Sequence, residues 1–292
     1  MKHRIITPAA LVSALAAGML LGTSQELSAA QAKKQAQQQA QQQAQPPAAP
    51  EGSPVAPQPR VKSQKEAEAV MAILKAPDPD ARIKACNELV QKFSDSEFKP
   101  LALFFAAVSY QQKNDIDRMI VYAERTLEAD PNHYQAMLML AGAIAQRTRE
   151  FDLDREEKLK VAEGYANKAL DILKTAPRPN PGITDDQWAA AKKDFEAQAH
   201  EAFALAALAR NQPDKAVEEF KLTLATANEP DPSTMVRLAA AYTKGNKFDD
   251  AISTLDKVLA MANLHPQVRS VAQAERQRAV QLKAKAAEEA AK

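Results

Sequence analysis

The sequence predicts an all-α fold of stacked helical hairpins, preceded by a disordered N-terminal tether. Three observations predict it. The segment 238–252 reads as one hairpin: Ala239 and Tyr242 lie three apart on one helix face, Gly245-Asn246 forms a turn, and Phe248 and Ala251 open a second helix. The same pairing of small and aromatic residues, with the same punctuation, recurs upstream at intervals of one hairpin. Residues 31–62, by contrast, hold almost nothing apolar larger than alanine.

Taken in order, Met1 to Ala30 opens with Lys2 and Arg4, continues through an apolar run from about Pro8 to Leu21 and closes on Ser28-Ala29-Ala30. This is the pattern of a secretory signal peptide (1–30) cleaved after Ala30, and no cysteine follows it to carry lipid. An uncleaved signal anchor in the inner membrane is the alternative. Residues 31–62 form a Gln/Ala tract running into a Pro-rich stretch, expected to be a disordered linker with polyproline character toward its end. Lys33, Lys34, Arg60 and Lys62 against Glu51 make it basic.

The globular part is expected over 63–290. Ser63-Gln64-Lys65-Glu66 reads as a capping box and Asp78-Pro79 as the start of a second helix, giving a hairpin at about 63–96. At 100–133, Ala107, Tyr110, Asn114 and Leu127 repeat the spacing of the 238–252 hairpin, Met119 stands where alanine is usual, and Asp130-Pro131 stops the second helix. At 134–176 the pair Leu140-Ala141 is followed late by Ala162, Ala166 and Ala169, with about nine residues inserted. At 184–229, Thr184-Asp185-Asp186-Gln187 starts a helix some two turns longer than a hairpin needs, and Asn211 to Asp214 forms its turn. The most regular copy spans 232–264. Val268, Val271, Ala272, Ala279 and Leu282 then make a thin stripe on a charged helix at 266–290, suited to close the stack.

With position 1 at Pro232, these residues fall on a 34-residue register: Leu238 and Ala239 at 7 and 8, Tyr242 at 11, Phe248 at 17 and Ala251 at 20. Over roughly residues 100 to 265 the chain thus resembles the tetratricopeptide repeat family. The resemblance implies a right-handed superhelix whose concave wall, made by first helices, holds a peptide or helix of a partner protein. Carried onto this sequence, the inward positions are Leu101, Phe104, Val108, Gln111 and Gln112 in the first copy, then Gln135, Leu138 and Gln146, then Glu201 and Leu205, then Val236 and Lys244. The carboxylate clamp of some family members needs Lys and Asn where this chain has Phe104 and Val108, so C-terminal carboxylates are not the expected ligand.

Chemistry is otherwise sparse. The seven glycines are too dispersed for a phosphate-cradling loop, and His200-Glu201 has Ala204 where a zinc motif needs its second histidine. No catalytic, cofactor-binding or metal residues are expected. Cys86 is the only cysteine, so no intramolecular disulfide can form, and its helical neighbours favour packing. Without its signal the chain is charge-balanced, which argues against nucleic-acid binding. Two departures from the repeat pattern stand out as contact candidates: the charged insertion at 147–158, with Arg149 and Phe151, and Trp188, the only tryptophan, on the extended helix.

The expectation is therefore an exported, periplasmic or secreted, non-catalytic adaptor or scaffold of the bacterial cell envelope. Its partner would be a protein or peptide, with membrane contact only through an uncleaved signal. The alternatives are a self-associating structural component of an envelope assembly and, further off, an enzyme with an unrecognised site.

Overall fold

The computed structural model describes residues Pro54–Ala291 of the 292-residue chain, so the expected signal peptide and most of the tether lie outside the described residues. The chain divides into two compact units. The described part of one comprises 59–175 and 189–291, that of the other 54–58 and 176–188.

The first unit is an array of antiparallel helix pairs. Its helices are α1 (Gln64–Leu74), α2 (Pro79–Lys92), α3 (Lys99–Gln112), α4 (Ile116–Ala129), α5 (Tyr134–Arg147), α6 (Arg155–Thr175), α7 (Asp185–Ala209, the first four residues belonging to the second unit), α8 (Pro213–Thr226), α9 (Pro232–Lys244), α10 (Phe248–Leu259) and α11 (Pro266–Ala290). Starts are chemically marked. Proline occupies the first turn of α2, α3, α8, α9 and α11, where its missing N–H costs nothing. Asp78, Asp115 and Asp231 accept orphan N–H groups as N-caps, and Ser63 accepts that of Glu66 at 3.2 Å. The Glu66 carboxylate reaches back one residue further than a capping box requires, to the N–H of Lys62.

Small residues set how closely the helices cross. Ala107, Ala123, Ala141, Ala162, Ala166, Ala169, Ala239 and Ala251 are all fully buried, so the late arrival of α6 after the insertion leaves its packing face intact. One core cluster joins α2 to α5 around Ile83, Phe104, Tyr110, Met119 and Leu140. Another runs from α7 to α11 around Phe220, Leu238, Tyr242, Leu255 and Ala272, and Ala145, Leu159 and Ala206 form a third between them. Met119 fills the space an alanine would leave, beside Tyr110. Cys86 is buried and burial pushes its thiol pKa up to about 12, so it packs as a small apolar group. On α11, Ala272 and Ala279 face the core, but Val271 is exposed, so the expected stripe is narrower than its sequence pattern.

The second unit corrects the expected tether boundary. Val55 and Arg178 form an isolated parallel β-bridge, with Arg178 donating its N–H to Pro54 O and accepting from Ala56 N–H, both at 2.8 Å. Gln58 Nε2 donates to Pro179 O at 2.8 Å. Beyond it, within the first unit, Arg60 N–H donates to Glu97 and Lys62 pairs with Asp95. Within the second unit, residues 54–58 form an extended strap, because proline-rich backbone with few internal hydrogen bonds takes its partners from other segments.

Candidate partner-binding site

Three of the hairpins turn in one way. Asn114, Asn211 and Asn246 have φ of 57°, 60° and 58°, and the residue after each donates its N–H to a carbonyl five residues back, at 2.9 Å. This is a Schellman closure, and asparagine tolerates its left-handed residue because its short side chain can bond locally. In the most regular copy the left-handed residue is Asn246, while Gly245 keeps φ at −86°.

The turn edges are joined by a ladder of ion pairs. The second residue of each second helix is an acid, and it pairs with a basic residue further along the array: at the end of the next first helix for Lys113, Arg147 and Arg210, in the turn after α9 for Lys247, and within α11 for Lys283. The rungs are Asp80–Lys113, Asp117–Arg147, Glu156–Arg210, Asp214–Lys247 and Asp249–Lys283. Four are separated by 30 to 34 residues, and Glu156–Arg210 by 54, since the long helices α6 and α7 and the segment 176–184 lie between its partners. An acid in the first turn also faces the positive end of the helix dipole. Most rungs are solvent-exposed and worth little singly. Arg210 differs: its side chain is only 14% exposed, it grips both oxygens of Glu163 and also bonds Glu156 at 2.9 Å. Glu163, then Glu156, hold its pKa above the usual arginine value.

The ladder places the ends of the first helices along one edge, and the insertion after α5 lies there. Its backbone is closed on itself by Arg149 N–H to the Asp152 carboxylate at 3.1 Å, Asp152 N–H to Arg149 O and Arg155 N–H to Asp152 O, both at 3.2 Å. Arg155 Nη1 donates to Glu150 O at 2.6 Å, and the Glu150 carboxylate pairs at 2.9 Å with Lys244, at the end of α9. Asp154 pairs with Lys158 at 2.8 Å, and that cation holds its carboxyl below the usual range. On this braced loop Phe151 is 89% exposed and Leu153 fully exposed. Two large apolar side chains left in water within three residues make a small apolar patch on an otherwise charged loop.

The sequence-predicted contact residues separate into two groups. Phe104 and Val108 are 6% and 5% exposed and belong to the core cluster with Ile83, and His133 lies against Phe104 with ring centroids 4.7 Å apart. Leu138 and Val236 are also buried. Leu101, Gln135 and Leu205 are half-buried, and Glu201 is engaged by Arg237. These side chains build the array rather than an open wall, because helix packing on both sides closes over the register positions carried from the resemblance. Gln111, Gln112, Gln146 and Lys244 are exposed, all at the ends of first helices, on the same edge as the loop carrying Arg149 and Phe151. Trp188 is 3% exposed and donates its indole N–H to Ala176 O at 3.1 Å, so it is a packing residue of the second unit and not a contact residue. Leu153 escaped sequence reasoning; its signal was its place two residues after Phe151 among charges.

Among the described residues no group of histidine, cysteine and carboxylate side chains could hold a metal ion, and no helix is long and apolar enough to cross a membrane. Residues 207–275 match the family model of the tetratricopeptide repeat. No curated protein matches the chain. Among solved structures, it is similar to a thermophilic TPR protein of Thermus thermophilus, at 18% identity and a TM-score of 0.45, covering 73% of this chain and 95% of that one. It is also similar to PilF of Pseudomonas aeruginosa, at 16% identity and a TM-score of 0.45, covering 75% of this chain and 93% of that one.

Proposed function

We propose that this tetratricopeptide-repeat protein is an exported, non-catalytic adaptor that holds a segment of a partner protein on the edge formed by its hairpin turns. The fold generally mediates protein–protein interaction. The observation that carries the reading is the braced loop presenting Phe151 and Leu153 to solvent. Displaying two apolar side chains costs free energy that the Glu150–Lys244 pair and the Arg155 contact do nothing to recover. What they do is fix the loop, so that a partner would bind without first ordering it. Gln111, Gln112 and Gln146 along the same edge offer amide donors and acceptors suited to a peptide backbone.

The signal-like start and basic Gln/Pro-rich tether support export, with the array held clear of whatever anchors or surrounds its N-terminus. The test is crosslinking in the native envelope followed by mass spectrometry. Partner crosslinks should collapse in a Phe151→Ser, Leu153→Ser double variant whose circular dichroism and unfolding midpoint match the parent. Undiminished crosslinks from that variant would overturn the loop assignment, and recovery of the chain from the cytosolic fraction would overturn export.

A further inference from the structure

The ladder follows a rule that one end of the array leaves incomplete. Each second helix carries an acid at its second position and an aliphatic residue three further on: Asp80 and Ile83, Asp117 and Ile120, Glu156 and Leu159, Asp214 and Val217, Asp249 and Ile252. In three of the five the acid pairs with a base at the end of the following first helix, Lys113, Arg147 or Arg210, and in all five the aliphatic residue belongs to or packs against a core cluster. The first helix of the array, α1, also ends in a basic residue. Lys75 is its C-cap, as Lys113 is the C-cap of α3. Yet Lys75 is exposed and has no ion pair among the described residues.

Lys75 lines a shallow furrow of about 280 Å³ between α1 and α2, together with Lys84, with Glu88, which is itself paired with Lys92, and with alanines of both helices, among them Ala69, Ala72 and Ala85. Alanine on facing helices permits the short interaxial distances at which helices pack most closely. The opposite end of the array is built for water instead: α11 turns Gln273, Gln277, Arg278 and Lys285 to solvent, as a terminal repeat should. The chain upstream of residue 54 cannot complete the rule. Its only acids are Glu26 and Glu51, and the residues three beyond them are Ala29 and Pro54.

We infer that the α1–α2 furrow is a second docking surface, which receives an amphipathic helix of another protein. That helix carries Asp or Glu at its second position and Ile, Val or Leu three residues later. It lies along α1 as α2 lies along α3. Its acid pairs with Lys75, its aliphatic face covers the alanines, and its own dipole reinforces the attraction of its first-turn acid for the lysine.

The probe is a fluorescent, hydrocarbon-stapled peptide with the sequence of residues 213–226, titrated against the purified full chain by anisotropy. Saturable binding is expected, weakened about tenfold by Lys75→Glu and by Ala69→Glu, which changes the furrow floor six residues away from the lysine. A probe carrying Asp214→Lys should recover affinity for the Lys75→Glu protein while binding the parent poorly. Absence of saturable binding, or affinity indifferent to both variants, would overturn the inference. So would a swapped probe that recovers nothing. Light scattering supplies the remaining arm: a dimer of the full chain that Lys75→Glu dissolves would make the occupant a second copy, and would equally overturn it.

Discussion

In the hairpin α9–α10, Gly245, Asn246 and Lys247 carry the chain between its helices; in α5–α6 the connection takes seven residues, from Thr148 to Asp154. The short connection holds its shape through backbone alone: a left-handed asparagine and three bonds back into the helix, Gly245 N–H to Ala241 O at 3.0 Å, Asn246 N–H to Thr243 O at 3.1 Å and Lys247 N–H to Tyr242 O at 2.9 Å. The long one holds its shape through side chains, chiefly Arg155 on Glu150 O and Glu150 on Lys244. In both, the following helix buries its small residues and its first-turn acid finds a rung, although Ala251 comes two residues after Asp249 and Ala162 six after Glu156. Packing of small residues, not turn length, therefore sets the hairpin, and the turn is free to vary where another role is served. The copy that departs from the pattern is the one that places Phe151 and Leu153 in solvent.

Matched core truncations test this most severely. Leu140→Ala in α5 and Leu255→Ala in α10, both at fully buried positions, should each cost about 2–5 kcal/mol in urea unfolding. A loss confined to the regular hairpin would show that the irregular one is not packed as an equal. Next in size is Arg210→Ala, expected to cost about 1.5–3 kcal/mol because it strands the part-buried Glu163 carboxylate. Lys247→Ala on an exposed rung should leave the unfolding midpoint nearly unchanged. Equal effects from the two would mean that the ladder, rather than burial, governs the energy.

Asn246→Val should cost about 1–2 kcal/mol by forcing a β-branched residue to positive φ, with Asn246→Gly close to neutral. Glu150→Ala should leave the unfolding midpoint nearly unchanged and instead raise hydrogen exchange in residues 149–154, separating a backbone-held turn from a side-chain-held one.

The smallest effect is a pH dependence. His133 caps α5 by accepting the Ala136 N–H at Nδ1, 3.3 Å away, and burial lowers its pKa despite the opposing field of Asp130. The fold thus favours the neutral ring, so between the folded and unfolded pKa values the unfolded chain binds the extra proton. This contribution is complete above the unfolded value of about 6.5 and declines as pH falls below it. Thermal unfolding of His133→Asn, which retains a capping oxygen, should show a shallower decline between about pH 7 and 5. The depressed carboxyls of Asp115, Asp154 and Glu156, each paired with a cation, contribute in a separate, more acidic range.

Much of the fold was legible in order along the chain. The helix starting at Asp185, the proline-marked starts and the asparagine turns were read from local signals that act within a few residues. The candidate site was legible only in part. Phe151 announced itself as an apolar residue among charges, whereas Phe104 and Val108 belong to α3, whose helical stretch from Ala102 to Tyr110 is buried on every face. A periodicity argument cannot assign an outward side to such a helix. Trp188 stood out as a contact candidate on the extended helix, and only its indole N–H to Ala176 O shows it to be a packing residue.

The sequence by itself determined the all-α hairpin architecture, the turn chemistry and the small residues at the crossings, because each depends on interactions within one helix pair. The tertiary structure alone decided which first-helix residues remain in water, that residues 54–58 pair with the segment after α6, and that Glu156 finds Arg210 across 54 residues. Those outcomes depend on contacts between hairpins, where neighbours in space are set by stacking and sequence distance carries no fixed meaning. The hairpin at 238–252 is regular because both kinds of constraint agree there; the loop at 149–154 takes its form from a lysine 94 residues away.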